Sequence, residues 1–261
     1  MGSRVIQGFR QTGWMVVRQG RNLMREPIWI AMMVIQPLIW LLLYGQLFSR
    51  VGQLRGGANS YVEFLAPGII CMNAFFGGSW SGMAMISDLN RHVIDRFLAA
   101  PTSRFAIVLS QVVRAGITAV IQALLLLVLG LALGVRVHGG VLGWFVVLAG
   151  AALLAMAFAG LSHGIALLVR KEASMIAAAN FVGLPLMFIS AILIPPRQMP
   201  HWIAQLSRFN PVNWGVQAAR NAIVVGGNWG PTGVYLLLLI AATAVTSLFA
   251  TWCFRAYQRS I

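Results

Sequence analysis

Residues 88–104 read Asp-Leu-Asn-Arg-His-Val-Ile-Asp-Arg-Phe-Leu-Ala-Ala-Pro-Thr-Ser-Arg, a compact polar island between two long apolar runs. Such a segment is too polar for lipid and has to lie at the water boundary between two spans. Read as a helix, it places Val93 and Phe97 on an apolar stripe and Asp88 and Asp95 on the other side. We predict a short amphipathic surface helix that suits contact with a soluble partner. The alternative, which composition alone favours, is an ordinary charged inside loop.

The end of this surface helix is set by Pro101, because the residue before a proline is biased away from helical geometry. Thr102 or Ser103 can then cap the next helix, since a hydroxyl at that place accepts a hydrogen bond from an unpaired backbone N–H. Arg104 is the last residue of the polar island, and the next apolar stretch begins at about Phe105.

Composition identifies the protein class. The chain has 261 residues, of which 59% are hydrophobic and 9% charged, and its mean hydropathy is +0.81. It contains several runs of about 20 apolar residues, which predicts an all-α polytopic membrane protein. The formal charge of +14 comes from basic residues spread singly between the apolar runs. They are expected to anchor the helices at lipid headgroups, and nucleic-acid binding is not expected.

The order of apolar and polar stretches predicts six membrane spans in a single transmembrane domain over residues 1–261. The spans are placed at residues 27–48, 64–87, 105–135, 141–169, 174–194 and 232–254. Residues 1–26, which include Trp14, are predicted to form an interfacial helix along the inner leaflet. Counting about twelve basic residues inside against about six outside places both termini in the cytoplasm.

Three of the polar side chains inside the predicted spans are candidates for a functional role. Arg114 is expected either to extend to the inner headgroups or to face a polar pathway or an acidic partner. Asn180 and Ser190 are candidates for lining a path, although Asn180 is equally suited to a hydrogen bond with a neighbouring helix. The glycine-rich run 77–82 in the second span predicts close helix packing in preference to a binding site.

The segment 195–231 before the last span is semi-polar and aromatic. Met199-Pro200-His201-Trp202-Ile203 opens one short helix, and Asn210-Pro211-Val212-Asn213-Trp214 opens a second that runs towards Arg220. Both helices are too short to cross a bilayer, so we expect them to dip into the outer leaflet as re-entrant or interfacial helices.

The sequence offers little catalytic chemistry. The carboxylates are all predicted at or near a water boundary, and the four histidines lie in separate segments without ligand spacing, so no metal site is expected. Ser162 and His163 raise the alternative of an intramembrane hydrolase, without a strict nucleophile motif to support it. Lys171, the only lysine, has no glycine-rich loop before it. The chain is therefore not expected to hydrolyse ATP by a phosphate-binding loop.

Four stretches, in order along the chain, carry a family resemblance. They are Tyr61-Val62-Glu63-Phe64-Leu65-Ala66-Pro67-Gly68; the set Asp88, Arg91, Asp95-Arg96-Phe97-Leu98, Pro101 and Ser103-Arg104; Met199-Pro200 with Trp202; and Asn210-Pro211 with Trp214 and Arg220. Together they resemble the type-2 ABC export permeases, particularly the daunorubicin-resistance type, over essentially the whole chain. Asn90 and His92 depart from the usual pattern, which has an acid and a glycine there, and this affects the expected contacts of the surface helix.

The resemblance implies that two six-span permease subunits, identical or closely related, assemble with two separate ABC ATPase subunits that bind MgATP. The surface helix would then be the coupling helix, seated in a groove on the ATPase. Its implied contact residues are Asp88, Arg91, Val93, Asp95, Arg96, Phe97, Leu98, Pro101, Ser103 and Arg104. The resemblance also implies a gate helix that includes Trp14, and an outer gate that includes Met199, Trp202, Asn210, Pro211, Trp214 and Arg220.

The resulting hypothesis is a permease subunit of an ABC exporter in the bacterial plasma membrane, not itself an enzyme. Its partners would be ATPase subunits, a second permease copy, membrane lipid and a hydrophobic or amphiphilic substrate such as a drug or lipid. The alternatives are the same fold exporting a lipid-linked polysaccharide and, less favoured, an intramembrane enzyme that acts on lipid.

Overall fold

The computed structural model describes residues 27–48, 50–51, 56–90 and 104–258 of the chain, and within these ranges every regular element is helical. A 3-10 turn at Pro196–Gln198 and a π-helical turn at Asn221–Val225 accompany the α-helices. The α-helices are α1 (Pro27–Leu47), α2 (Tyr61–Trp80), α3 (Gly82–Asn90), α4 (Arg104–Ala132), α5 (Gly140–Val169), α6 (Glu172–Phe188), α7 (His201–Ser207), α8 (Pro211–Arg220) and α9 (Trp229–Gln258).

Four helical stretches are long and apolar enough to cross a membrane. They are Tyr61–Asn90, Ile107–Ala132, Gly140–Val169 and Trp229–Ala256. They coincide with the predicted second, third, fourth and sixth spans. Two shorter apolar helices, Ile35–Leu47 and Glu172–Phe188, lie where the first and fifth spans are predicted. The count of six spans stays a prediction.

Helix α5 is the centre of the fold and packs against α2, α4 and α9. Small residues make this possible, as the glycine-rich run predicts. A methyl group on Gly82 would lie 2.5 Å from Ser162 Oγ, and one on Gly160 would lie 2.7 Å from Thr246 Oγ1. Lipid offers helices no hydrophobic drive to associate, so such close backbone approach is what holds spans together.

The buried apolar residues form two clusters at different depths. The larger cluster includes Phe64, Phe75, Leu154 and Val216 and lies towards the end that we call outer, where residues 136–139 and 189–228 connect the helices. The smaller cluster lies towards the opposite, inner end and joins α3, α4, α5, α6 and α9. Its buried members are Met85, Ile86, Val108, Val112, Ala166, Leu167, Met175, Ala250, Cys253 and Phe254.

At the inner end, the helical structure reaches further than the sequence predicts. Asp88 was expected to begin a separate surface helix, but it continues α3, which the structure describes as far as Asn90. The reason is local: Leu89 packs against the inner cluster, and Asp88 accepts a hydrogen bond from Gln111 of α4. Arg104, the last residue of the predicted coupling loop, is helical and is the first described residue of α4. The predicted coupling residues from Arg91 to Ser103 lie outside the described residues, as do residues 1–26 with Trp14.

At the outer end, α6 stops before its predicted boundary. The fifth span was expected to continue to residue 194 and to be ended by the proline pair at 195 and 196, but the helix ends at Phe188. The Ser190 hydroxyl donates to Met187 O at 2.5 Å, and Ala191 N donates to the side chain of Asn213. These side-chain hydrogen bonds replace the helical ones. They are needed because a backbone N–H or C=O group that is shielded from water is costly unless it has a hydrogen-bond partner.

Candidate functional site

The non-helical segment 189–195 is fastened by side chains that α8 carries. We call the set Tyr61, Asn210, Asn213 and Arg220 the outer latch; all four side chains are at least nine-tenths buried. Three of them come from the Asn-Pro motif and the helix that it opens, whereas Tyr61 begins α2. They bond to backbone groups of residues 186–193, so the end of α6, the start of α2 and α8 form one unit.

The two asparagines of the latch each make a pair of bonds. Asn210 is the N-cap of α8: its Oδ1 accepts from Val212 N at 2.9 Å, and its Nδ2 donates to Leu186 O at 2.7 Å. Pro211 occupies the first position of the helix, where a missing N–H costs nothing. Asn213 Oδ1 accepts from Ala191 N at 3.2 Å, and its Nδ2 donates to Ser207 O at 2.9 Å. The Asn-Pro motif therefore caps α8, and the asparagines of the latch also connect α8 to residues 186–191 and to Ser207.

Arg220 closes the latch from the other end of α8. Its Nη2 donates to Ala191 O at 2.8 Å and to Phe64 O at 3.5 Å, and the guanidinium carbon lies 3.9 Å from the centre of the Phe64 ring. Removal from water lowers the pKa of Arg220 to about 9, so the side chain stays protonated at neutral pH. The Phe64 ring face offsets part of the cost of burying this cation. Arg220 thus joins α8 both to α2 and to the segment after α6.

The other residues predicted for the outer gate lie around the latch. Trp214 Nε1 donates to Arg208 O at 2.7 Å, which fixes the turn between α7 and α8. Trp202 of α7 and Phe209 are 61% and 81% exposed, so this turn presents large aromatic surfaces outward. Met199 is half-buried just before α7. An exposed tryptophan on a helix too short to cross a bilayer, followed by an exposed phenylalanine in the next turn, is typical of a membrane interface.

A second outer contact connects the α4–α5 turn to α2. His138 Nδ1 lies 2.9 Å from Ile223 O and 3.4 Å from Glu63 Oε1. Glu63 Oε2 accepts from Asn59 N at 2.8 Å, and Glu63 N donates to the hydroxyl of Ser60, the N-cap of α2. This Ser-x-x-Glu arrangement resembles a capping box, a signal that is visible in the sequence and that our sequence analysis overlooked.

The inner end of the fold holds a smaller group of polar residues. We call Asp88, Gln111 and Arg114 the inner polar cluster. Gln111 Nε2 donates to Asp88 Oδ2 at 3.4 Å, and Arg114 follows Gln111 by about one helical turn on α4. The alternatives that the sequence leaves open for Arg114 stay predictions. Gln111 was not singled out in the sequence, and only its three-residue spacing from Arg114 could have suggested it.

Between the outer latch and the inner polar cluster, the helix of residues 61–90 is interrupted at Ser81, and Ser162 of α5 bridges the interruption. The Ser162 hydroxyl donates to Ser79 O at 2.5 Å and accepts from Gly82 N at 2.9 Å. Both bonding directions of this hydroxyl are therefore used within the fold. His163 is the next residue on the helix, about 100° around its axis. The hydrolase alternative gains no support, because this serine is committed to satisfying a helix break.

The remaining candidate pathway residues differ from each other. Ser190 is buried, and its hydroxyl is bonded to the Met187 carbonyl at the end of α6; its place on a pathway stays a prediction. Asn180 is half-buried in α6, and it has no hydrogen-bond partner among the described residues. Beside it, a shallow apolar groove runs between α2, α5 and α6. Its lining includes Phe75, Ser79, Phe158, Met175, Ala179 and Gly183. Within the described part of the chain, no three His, Cys, Asp or Glu side chains group as a metal site would need.

Residues 10–224 match the family model described as ABC-2 type transporter. The chain is 30% identical to the ycf38 transport permease of Cyanophora paradoxa over 204 residues, which is 76% of this chain and 69% of the relative. It is 28% identical to the daunorubicin resistance ABC transporter permease protein DrrB1 of Streptomyces coeruleorubidus over 236 residues, 89% of this chain and 80% of the relative. A ycf38 protein of Pyropia yezoensis is 27% identical, over 87% of this chain and 82% of the relative.

Proposed function

The chain belongs to the ABC-2 type transporter family, and from this premise we propose that it is the permease subunit of an exporter that moves a hydrophobic or amphiphilic compound outward. As a membrane subunit of an ABC transporter it is a multi-pass protein, and its relatives are transport permeases. In the proposal, a separate ATPase subunit supplies the energy by hydrolysing MgATP. A second permease copy completes the membrane part. The proposed location is a bacterial plasma membrane, with both termini in the cytoplasm.

The observation that carries this proposal is the path of the helix of residues 61–90. It begins in the outer latch, where Phe64 O accepts from Arg220, and it ends in the inner polar cluster with Asp88. Its 30 residues correspond to about 45 Å, which is longer than the hydrocarbon core of a bilayer of about 30 Å. The chain enters the proposed coupling stretch directly at its inner end. A displacement of that stretch would therefore reach the outer latch through α3 and α2, whose interruption at Ser81 is bridged by Ser162 of α5.

The proposed substrate class follows from the surfaces beside this helix. The groove between α2, α5 and α6 is lined almost entirely by apolar and aromatic groups, and the exposed face of α6 continues it with Phe181, which is 82% exposed. Such surfaces favour the apolar part of an amphiphile. The name of the Streptomyces relative, which refers to daunorubicin resistance, agrees with a planar amphiphilic compound of this kind.

The first test is purification of the tagged chain from its native membrane in mild detergent, with mass spectrometry of the proteins that accompany it. We expect a stoichiometric ATPase with a phosphate-binding loop. A variant with Asp95→Ala and Phe97→Ala should lose that ATPase while the permease itself remains folded. The matched control is Arg197→Ala with Phe209→Ala, which also removes one charge and one aromatic ring but at exposed outer positions. Purification of the chain without any ATPase would contradict the proposal.

The second test concerns direction and substrate. Inside-out vesicles that contain the permease and its ATPase should accumulate daunorubicin, or a fluorescent amphiphile of similar size, when MgATP is added outside. No accumulation is expected with a non-hydrolysable ATP analogue. Accumulation of a lipid-linked saccharide in place of the amphiphile would change the proposed substrate class but would still support an exporter. ATP-driven movement in the opposite direction would overturn the exporter.

A further inference from the structure

The outer end of the fold carries exposed positive charge that the proposed function leaves unexplained. Four arginines are exposed there: Arg50, Arg136, Arg197 and Arg208. The carboxylate at this end, Glu63, is buried and accepts a hydrogen bond from Asn59 N at 2.8 Å. No Asp or Glu follows Glu172 in the chain, so residues 189–228 contain no acidic side chain. Because the cytoplasmic loops of membrane proteins normally carry the excess of arginine, exposed arginines at the outer end indicate a negatively charged partner.

Helix α7, which lies at this end, presents three faces. Consecutive residues of an α-helix are 100° apart, so positions four and seven residues apart share a face. The face turned into the protein holds Ile203, Ala204 and Ser207. An exposed polar face holds His201, Gln205 and Arg208. Arg208 is the C-cap and keeps helical geometry. The exposed face next to it is apolar and holds Trp202 and Leu206.

Hydrogen bonds at the end of α7 fix the directions of the two exposed faces. The Asn213 side chain, part of the outer latch, donates to Ser207 O at 2.9 Å. Trp214 Nε1 of α8 donates to Arg208 O at 2.7 Å. These two bonds join α7 to α8, so α7 cannot turn about its own axis without breaking them. The polar face and the apolar face therefore keep their places side by side on the outside of the protein.

A basic polar face beside an apolar face matches the boundary between phospholipid headgroups and acyl chains. The Arg208 guanidinium suits a phosphate group, to which it can donate two parallel hydrogen bonds. His201 and Gln205 add hydrogen-bond donors on the same face. The side chains of Trp202 and Leu206 suit the acyl chains, which a soluble anion does not have.

A second copy of this chain matches the α7 surface less well than a lipid does. It would bring further exposed arginines from its own outer end, where the Glu63 carboxylate is buried. Placing like charges opposite each other is unfavourable, and an interface between two α7 surfaces would lack a counter-charge for Arg208. An anionic lipid supplies that counter-charge together with an apolar part.

We propose that an anionic phospholipid of the outer leaflet binds to α7, with its phosphate on the polar face and an acyl chain along the apolar face of this helix. The inference rests on the proposed function, which places the outer end of the fold in the outer leaflet. A lipid bound here would hold α7 at the level of the headgroups. It would also stabilise the outer latch, because the carbonyls of residues 207 and 208 accept hydrogen bonds from α8.

The first test measures lipid binding by the purified permease in uncharged detergent micelles, without any ATPase. The probes are fluorescent phosphatidylglycerol, which is anionic, and phosphatidylcholine with the same acyl chains and fluorophore, which has no net charge. Fluorescence anisotropy should show tighter binding of phosphatidylglycerol. Arg208→Gln should weaken that binding about fivefold, the typical contribution of one arginine near an anionic membrane surface, and should leave phosphatidylcholine binding unchanged.

Two further variants complete this test. Trp202→Ala should weaken the binding of both lipids by the same factor, because it removes apolar contact without changing the charge. Arg136→Gln is the control, since it removes an exposed arginine of the outer end that lies in the turn between α4 and α5. It should leave the binding of both lipids unchanged.

A second measurement separates lipid binding from damage to the fold. Phosphatidylglycerol should raise the melting temperature of the unaltered permease, because a ligand that binds only the folded state stabilises it. Without added lipid, Arg208→Gln should melt at the same temperature as the unaltered protein. With phosphatidylglycerol present, this variant should not show the rise.

Four results would overturn the proposal. Equal binding of the two lipids would exclude a headgroup site. A loss of phosphatidylglycerol binding in Arg136→Gln as large as that in Arg208→Gln would indicate attraction to overall charge. Displacement of the lipid by soluble glycerol phosphate at equal concentration would indicate a site for a free anion. A smaller complex for Trp202→Ala in light scattering would assign the α7 surface to a second copy.

These results are separate from a failure of the proposed function. The binding and melting measurements use neither the ATPase nor transport, so they can succeed or fail whatever the chain exports. The exporter proposal fails by a different observation, which is purification of the unaltered chain without any ATPase.

Discussion

The outer latch and the inner polar cluster both fasten one helix to its neighbours, but they do so with different chemistry. In the outer latch, Asn210, Asn213 and Arg220 bond to backbone groups at 2.7 to 3.2 Å in nearly complete burial, with one longer contact to Phe64 O. In the inner cluster, Gln111 bonds to Asp88 at 3.4 Å between half-buried side chains. The outer latch satisfies a broken backbone, whereas the inner cluster joins two complete helices.

This difference affects how much free energy it costs to release each group of bonds. Backbone groups freed at the end of α6 have no other partners available, so releasing the outer latch would leave several of them unpaired. Releasing the inner cluster exposes two polar side chains near the water boundary, where they can be solvated. We therefore expect loss of the outer latch to lower the free energy of unfolding more than loss of the inner cluster does. The inner cluster should instead affect how movement passes between the helices. Ser162, at the helix break, lies between the two regions. Four predictions test this comparison.

The largest effect is expected for Arg220→Ala. It removes the donor to Ala191 O and the cation above the Phe64 ring, and it leaves a buried carbonyl unpaired and a void. We expect a loss of about 2–4 kcal/mol in unfolding free energy, seen as a lower melting temperature of the detergent-purified protein. Arg208→Ala is the control, because that side chain is exposed. Equal melting temperatures for the two variants would show that Arg220 of the outer latch does not contribute to the stability of the fold.

The next effect concerns the helix break. Gly82→Ala should cost about 1–3 kcal/mol, because the added methyl would lie 2.5 Å from Ser162 Oγ and 2.6 Å from Ser162 O, and overpacking of this kind is destabilising. Gly77→Ala is a matched change in the same run, where the nearest atom to the new methyl is Gln122 Oε1 at 3.8 Å. Thermal unfolding of the two variants should separate them clearly. If Gly77→Ala lowered the unfolding free energy more than Gly82→Ala, the close contact between Gly82 and α5 would not be the one that limits packing.

A smaller effect is expected for Asn213→Leu. The substitution keeps the volume of the side chain approximately but leaves Ala191 N and Ser207 O without their partners. We expect a loss of about 1–2 kcal/mol, together with faster hydrogen exchange of the Ala191 amide, because that amide loses its acceptor. Asn228→Leu, at an exposed position before α9, provides the comparison. Unchanged exchange at residue 191 would show that the clamp does not hold this segment.

The smallest effect on stability is expected for Asp88→Asn. The change removes a half-exposed charge that accepts one hydrogen bond at 3.4 Å from Gln111 and keeps the shape of the side chain, so the unfolding free energy should fall by less than about 1 kcal/mol, seen in the melting temperature of the purified protein. A melting temperature as low as that of Arg220→Ala would make the inner cluster a structural anchor of the same kind as the outer latch, and the comparison between the two regions would no longer hold.

Several elements were predictable from the sequence because their cause is local. The apolar runs identified α2, α4, α5 and α9 as helices, since length and apolarity act within one segment. The Asn-Pro pair located the start of α8, because N-capping depends on neighbouring residues alone. The glycine run 77–82 indicated close packing, and the structure confirms it with α5 as the neighbour.

Other features required partners distant in sequence. The early end of α6 depends on side chains from residues 210–220, which take over the backbone groups of 186–193. Arg220 could be named from its motif, but its role as a donor to two carbonyls on different helices could not. Ser162 offered a catalytic interpretation in the sequence and proved to bridge an interruption about 80 residues earlier.

The amino-acid sequence by itself determined that this chain is helical, that it is made for a membrane, and which family it belongs to, because composition, periodicity and motif order are properties of the chain alone. The tertiary structure decided which polar groups meet. Gln111 of α4 donates to Asp88 of α3, and Ser162 of α5 donates to Ser79 O, although nothing near these residues in the sequence indicates the partner. Pairing of this kind depends on the relative position of helices, which no single segment encodes.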